Sequence, residues 1–133
     1  MSQENVELAR QLAEVWTGRY TEAAEALVRP LLAPDFEIHP LYLERSYKGV
    51  EGIRQLWADI DEIWQDYRLE FGEIVDLGEH VLALAHITAR GTGSGVPIDE
   101  EIAIVWAFEG DKAVWMKTFI SKRDALEAVG LAE

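Results

Sequence analysis

With 133 residues, 49% of them apolar and 28% charged, the chain is long enough to bury a core and too apolar for a disordered segment. It has no cysteine, which excludes a disulfide framework and a thiolate metal site, and no apolar run approaches the length of a membrane span. Acidic residues outnumber basic ones 25 to 12, and a net charge of −13 repels phosphate backbones and anionic lipid, so neither nucleic acid nor membrane is expected as a partner.

The opening Met-Ser-Gln-Glu-Asn has no basic region and no apolar core, so no signal peptide is expected and a cytoplasmic location is the default. Ser2 is placed to cap a first helix, on which Val6, Ala9, Ala13 and Trp16 recur at helical spacing until Gly18 offers a stop. Thr21 caps a second helix through Ala24, Leu27 and Val28, and Pro30 and Pro34 end it near Arg29. Phe36-Glu37-Ile38-His39 alternates as a short strand before Pro40. Ile53, Leu56, Trp57, Ile60 and Trp64 form one stripe of a third helix, from about Val50 to Trp64.

Strands follow. Tyr67, Leu69 and Phe71 alternate, Gly72 invites a bulge, and Asp76-Leu77-Gly78-Glu79 turns the chain. The stretch from Val81 to Arg90 alternates as a strand, and three glycines in Gly91-Thr92-Gly93-Ser94-Gly95 make a flexible connection. A long strand from Ile98 to Phe108 is joined through Glu109-Gly110-Asp111-Lys112 to a last strand, Ala113 to Ile120. Ser121-Lys122-Arg123-Asp124 opens a short terminal helix that Gly130 ends. With no repeat or linker, residues 1–133 read as one domain of α+β class, its strands mostly antiparallel because short turns join them.

The His39-Pro40 strand end, the helix opening Tyr47-Lys48-Gly49-Val50-Glu51-Gly52-Ile53-Arg54 and the hairpin Val105-Trp106…Gly110-Asp111-Lys112, in this order, resemble the SnoaL-like branch of the NTF2-like superfamily across nearly the whole chain. The resemblance implies a cone: a curved, mostly antiparallel sheet wrapped around a deep apolar cavity by three N-terminal helices, with a short C-terminal helix and homodimerisation through the sheet. Polyketide cyclases, ketosteroid isomerases, limonene-epoxide hydrolases, dehydratases and non-catalytic binders share that fold. One departure is the stretch from Tyr20 to Leu32, longer than usual and carrying Pro30. The isomerases' general base corresponds to His39, but Leu12 and Ile104 stand where their oxyanion donors would be. Ala85, Ile87 and Thr118 occupy the epoxide hydrolases' catalytic places. Thr118 and Ser121 stand where the cyclases rely on an acidic residue. No borrowed catalytic set is complete.

His39 is the candidate acid or base, since histidine titrates near neutral pH; the plain alternative is a strand-end histidine bonded to its loop. His86 either joins His39 in the cavity, if the even-numbered face of its strand looks inward, or faces the dimer or solvent side, which the alignment favours. Tyr42 and Tyr47 flank the mouth, either to orient a ligand carbonyl or simply to pack. Glu100 is either a buried carboxyl in the cone, raised in pKa, or a solvated strand-end residue. Trp57, Ile60, Ile104, Trp106, Met116 and Thr118 are expected on the walls, beside further tryptophans at positions 64 and 115. Three histidines without ligand spacing give no metal site, and no cofactor motif is present. The expected ligand is a small hydrophobic molecule. Two functions remain open: cofactor-independent proton transfer of isomerase, cyclase or dehydratase type through His39, or a non-catalytic binding or dimeric accessory protein.

Overall fold

The structure is a computed structural model that describes residues 2–16, 20–40 and 45–130. Helix α1 spans Ser2–Trp16; the side chain of Ser2 and the expected stop at Gly18 lie outside the described residues. Helix α2 (Glu22–Val28) is capped as its sequence predicts, with Thr21 Oγ1 accepting the Ala24 amide at 3.1 Å. A single 3₁₀ turn over Arg29–Leu31 carries Pro30 and closes it. Strand β1 covers Leu32–His39 and starts earlier than the expected Phe36. It passes Pro34 because that residue is exposed and the pairing shifts register between Leu32 and Glu37, so no ladder bond needs the missing N–H.

A two-residue strand β2 (Tyr47–Lys48), not anticipated from the sequence, pairs antiparallel with Glu37 and Ile38. It feeds helix α3 (Gly49–Ile63) through Gly49, whose φ of +62° suits glycine. Gly52 then lets the helix close on the strand: a Cβ there would stand 2.8 Å from the Tyr47 carbonyl carbon. The long strands are β3 (Trp64–Asp76), β4 (His80–Gly91), β5 (Pro97–Glu109) and β6 (Lys112–Phe119), followed by α4 (Lys122–Ala128), whose cap Ser121 accepts from the Asp124 amide.

The six strands form one curved, unclosed sheet in the order β2-β1-β6-β5-β4-β3, antiparallel except for β1 beside β6. Strand β3 carries two register shifts, one between Gln65 and Arg68 and one between Phe71 and Ile74, where Gly72 lies. Each puts an extra residue into β3 and bends the edge of the sheet, as bulges do. Asp66, at φ 54°, takes the left-handed conformation in the first of them.

Helices α1 and α3 cover the concave face, and α4 covers β5 and β6 on the other. Leu12, Phe36, Ile38, Ile53, Ile104 and Trp106 centre the main core between α1, α3 and the sheet. A smaller cluster of Leu82, Ala103, Val105 and Ala125 lies under α4 on the convex face. Val81, Ala83, Ala85 and Ile87 thus face inward, and His86 faces outward with Leu82 and Leu84.

Candidate functional site

Between α1, α3 and the concave face is a small pocket of about 50 Å³. Leu56 and Ile60 of α3 and Trp16 of α1 roof it; Ile38 and Pro40 close one side, and Leu69, Ile87, Ile102, Ile104 and Met116 form the sheet wall. The volume holds a few water molecules and is well below the several hundred cubic ångströms of a typical ligand site. Two hydroxyls reach this wall, from Thr118 on β6 and Tyr67 on β3. Burial pushes the Tyr67 phenol up to about 12, so near neutral pH it is a neutral donor rather than a base. No imidazole or carboxylate is among the described residues that line the pocket.

Five of the expected wall residues, Ile60, Trp64, Ile104, Met116 and Thr118, come together there. Trp106 does not: it is 1% exposed and packs on Phe71, ring centroids 6.0 Å apart, as core. Tyr47 is also core, its hydroxyl donating to Asp59 Oδ2 at 2.5 Å while Arg45 lies 4.7 Å over its ring. Burial first, then the Asp59 bond, push that phenol up to about 12, and the same bond lowers the pKa of the Asp59 carboxyl. Tyr47 therefore pins β2 to α3 and is not at a mouth. Tyr42 lies outside the described residues.

The polar candidates are distributed elsewhere. His39 follows Glu37 on the convex side of β1, because Phe36 and Ile38 take the inward positions of the alternation. Its Nε2 is 3.0 Å from Glu37 Oε1, and both line an outer groove with Asp35, Glu109, Trp115 and Lys117. The expectation that His39 stands over the apolar pocket is not met. His86 is held on the convex face between Glu101 (Nδ1, 2.7 Å) and Asp99 (Nε2, 2.5 Å), and those two carboxylates, Glu101 first, raise its pKa. Glu100 shares the inward alternation of Ile102 but is exposed where β5 runs past the helices, so it is not a buried acid.

Next to the pocket opens a cleft of about 550 Å³, lined by Tyr20, Trp57, Asp61, Trp64, Gln65, Asp66 and Tyr67. Trp64 and Tyr67 belong to both concavities. Trp57, expected on the cavity wall, instead stacks parallel to Tyr20 at 6.1 Å, meets Tyr67 edge-on at 5.9 Å and tilts against Trp16 at 5.9 Å. Its indole N–H is buried and has no acceptor among the described residues.

Tyr20 is fixed from behind by Glu25, which is 9% exposed. Arg54 donates to both carboxylate oxygens of Glu25 at 2.7 Å, Arg29 donates at 3.0 Å, and the Tyr20 hydroxyl donates at 3.2 Å. The Arg54 bonds hold Glu25 down at about 2 against a burial that acts to raise it, while burial and Glu25 push the Tyr20 phenol up. Sequence reasoning missed this cluster because nothing local links residue 25 to residue 54. Ile87 and Ile102 were within reach, since they share the strand faces of Ala85 and Ile104. Tyr67 was not, because its direction depends on the bulge at Asp66.

A comparison with curated proteins finds no sequence match. Solved structures match in fold. An NTF2-like protein from Burkholderia thailandensis E264 superposes with a TM-score of 0.75 at 17% identity, over 93% of this chain and 95% of that one. A hypothetical protein with a ketosteroid isomerase-like fold from Catenulispora acidiphila DSM 44928, in complex with trimethylamine, gives 0.68 at 18% identity over 90% and 92%. TerC, co-crystallised with polyporic acid, gives 0.72 at 16% over 93% and 96%. The SnoaL-like domain model matches residues 9–116, so by sequence and by architecture this chain belongs to the SnoaL-like family.

Proposed function

We propose that the chain is a non-catalytic SnoaL-like binder of a small hydrophobic molecule, seated between α1, α3 and the concave face. The observation that carries this reading is the pocket wall itself: apolar on every side, with the Thr118 and Tyr67 hydroxyls as its polar groups and no acid–base side chain among the described lining. Such a wall orients one carbonyl or hydroxyl of an apolar ligand and moves no proton. At about 50 Å³ the pocket takes a ligand larger than a few atoms only if Leu56, Ile60 or Met116 change rotamer. That the fold neighbours hold ligands as different as trimethylamine and polyporic acid supports small-molecule binding as the class and leaves the ligand open.

The test is a thermal-shift panel of hydrophobic carbonyl compounds against the wild type and Thr118→Val, which keeps the shape and deletes the hydroxyl. Compounds that raise Tm in the wild type should bind the variant about five- to tenfold more weakly, the worth of about one hydrogen bond. A panel without any shift removes the reading.

A second reading keeps proton transfer through His39, and the Glu37 carboxylate 3.0 Å from its Nε2, able to orient the ring, favours it. The substrate would then lie in the outer groove, on the opposite face from the pocket. Turnover equal in wild type and His39→Ala would eliminate it. We also propose a homodimer through the convex face, where Leu84 of β4 lies beside His86. Size-exclusion chromatography with light scattering should return twice the chain mass, and Leu84→Glu should return a monomer.

A further inference from the structure

We propose that the cleft beside the pocket binds a small organic cation, a methylated ammonium bearing an oxygen acceptor. The inference concerns a different concavity from the hydrophobic pocket and stands whether or not that pocket is a binding site.

Three observations converge. First, four aromatic residues, Tyr20, Trp57, Trp64 and Tyr67, line one opening of about 550 Å³. The faces of such rings carry negative quadrupole charge, which attracts ammonium groups, tryptophan most of all. Second, Asp61 and Asp66 stand exposed on the rim, and neither is paired with a basic side chain among the described residues. Two rim carboxylates without a counter-charge among the described residues, on a chain of net charge −13, concentrate cations at the cleft. Third, the Trp57 indole N–H is buried with no acceptor among the described residues, although Trp57 lines this cleft. Buried donors are nearly always satisfied, and one that is not calls for a partner from outside.

The chemistry selects the ligand. Aromatic faces and carboxylates exclude anions and reward a diffuse positive charge whose methyl groups also bury well. A bare metal ion does not fit: no group of three metal-binding side chains occurs among the described residues. The orphaned N–H, closed off from the cleft in this structure, meets an oxygen on the same molecule when the indole tilts outward. Tyr20 is placed for the task by its bond to Glu25, which fixes the phenol behind the cleft and leaves its ring against Trp57.

The test is calorimetric titration with three probes of nearly the same shape: choline, tetramethylammonium and the neutral isostere 3,3-dimethylbutan-1-ol. Choline should bind, tetramethylammonium about three- to tenfold more weakly, and the neutral alcohol about tenfold or more weakly. Trp57→Phe keeps an aromatic ring and removes the N–H, so it should erase the advantage of choline over tetramethylammonium. The exposed double substitution Asp61→Asn with Asp66→Asn cannot disturb the core and should weaken both cations by about fivefold while leaving the alcohol unchanged. Thr118→Val, in the neighbouring pocket, should leave choline binding as it was. No heat with choline at millimolar concentration overturns the proposal. So does equal binding of choline and the neutral alcohol, or choline binding that both variants leave intact.

Discussion

At Glu25 two arginines and a tyrosine converge on one carboxylate. Glu25→Gln should destabilise the protein by about 1–2 kcal/mol in urea denaturation, a figure reduced because Arg54 is half exposed to water. The pH dependence has a definite sign. The folded pKa, about 2, lies below the ordinary 4.5, so the contribution is whole above 4.5 and is lost as pH falls from there toward 2. Wild type should therefore lose more stability than the Gln variant on acidification through that window. His86 runs the other way. Glu101 and Asp99 raise its pKa above 6.5, and Glu70 is its neighbour across β3, so the pairing is complete below 6.5 and fades as pH climbs through the raised midpoint. An NMR titration should find that midpoint above 6.5 in the wild type and lower in Glu101→Gln; equal midpoints would mean that the bridge does not persist in solution.

At the scale of elements, the contact between α3 and β2 depends on the absence of one methyl group. Alanine is ordinarily the better helix residue, by about 1 kcal/mol over glycine. At position 52, however, its Cβ would meet the Tyr47 backbone at 2.8 Å, so Gly52→Ala should cost about 1–3 kcal/mol through overpacking. A rise in the urea midpoint would show that the helix lifts freely from the strand. The caps are the simpler case. Thr21 and Ser121 each accept an amide three residues on, as their sequence contexts predict, and Ser121→Ala should cost about 1 kcal/mol. Cap chemistry is local, which is why both were legible without coordinates. The early start of β1 and the pairing of β2 were not, because both depend on partners far away in the chain.

At the scale of the whole molecule, the concave and convex faces hold different chemistry. Among the described residues, hydrocarbon and the Thr118 and Tyr67 hydroxyls line the pocket under the helices, whereas Glu37, His39 and Lys117 line the groove on the other side, where His86 also lies. Ligand-induced protection should follow that division: a hydrophobic ligand that raises Tm should slow amide exchange at Ile102 and Ile104 and leave Glu37 and His39 unchanged. Protection centred on His39 would move the binding site to the outer groove. The sequence by itself determined the α+β class, the helices, the antiparallel run of strands, the two caps and the bulge at Gly72, because periodicity, cap residues and turn glycines act over a few residues. It also held the apolar alternation that carries Ile104 and Met116 to the wall. Only the tertiary structure decided which side of each strand faces the helices. Alternation divides a strand into two faces but does not say which one is covered, and a single bulge exchanges them. That is why Ile38 rather than His39 reaches the pocket, why Tyr67 does, and why Glu25 and Arg54 meet at all.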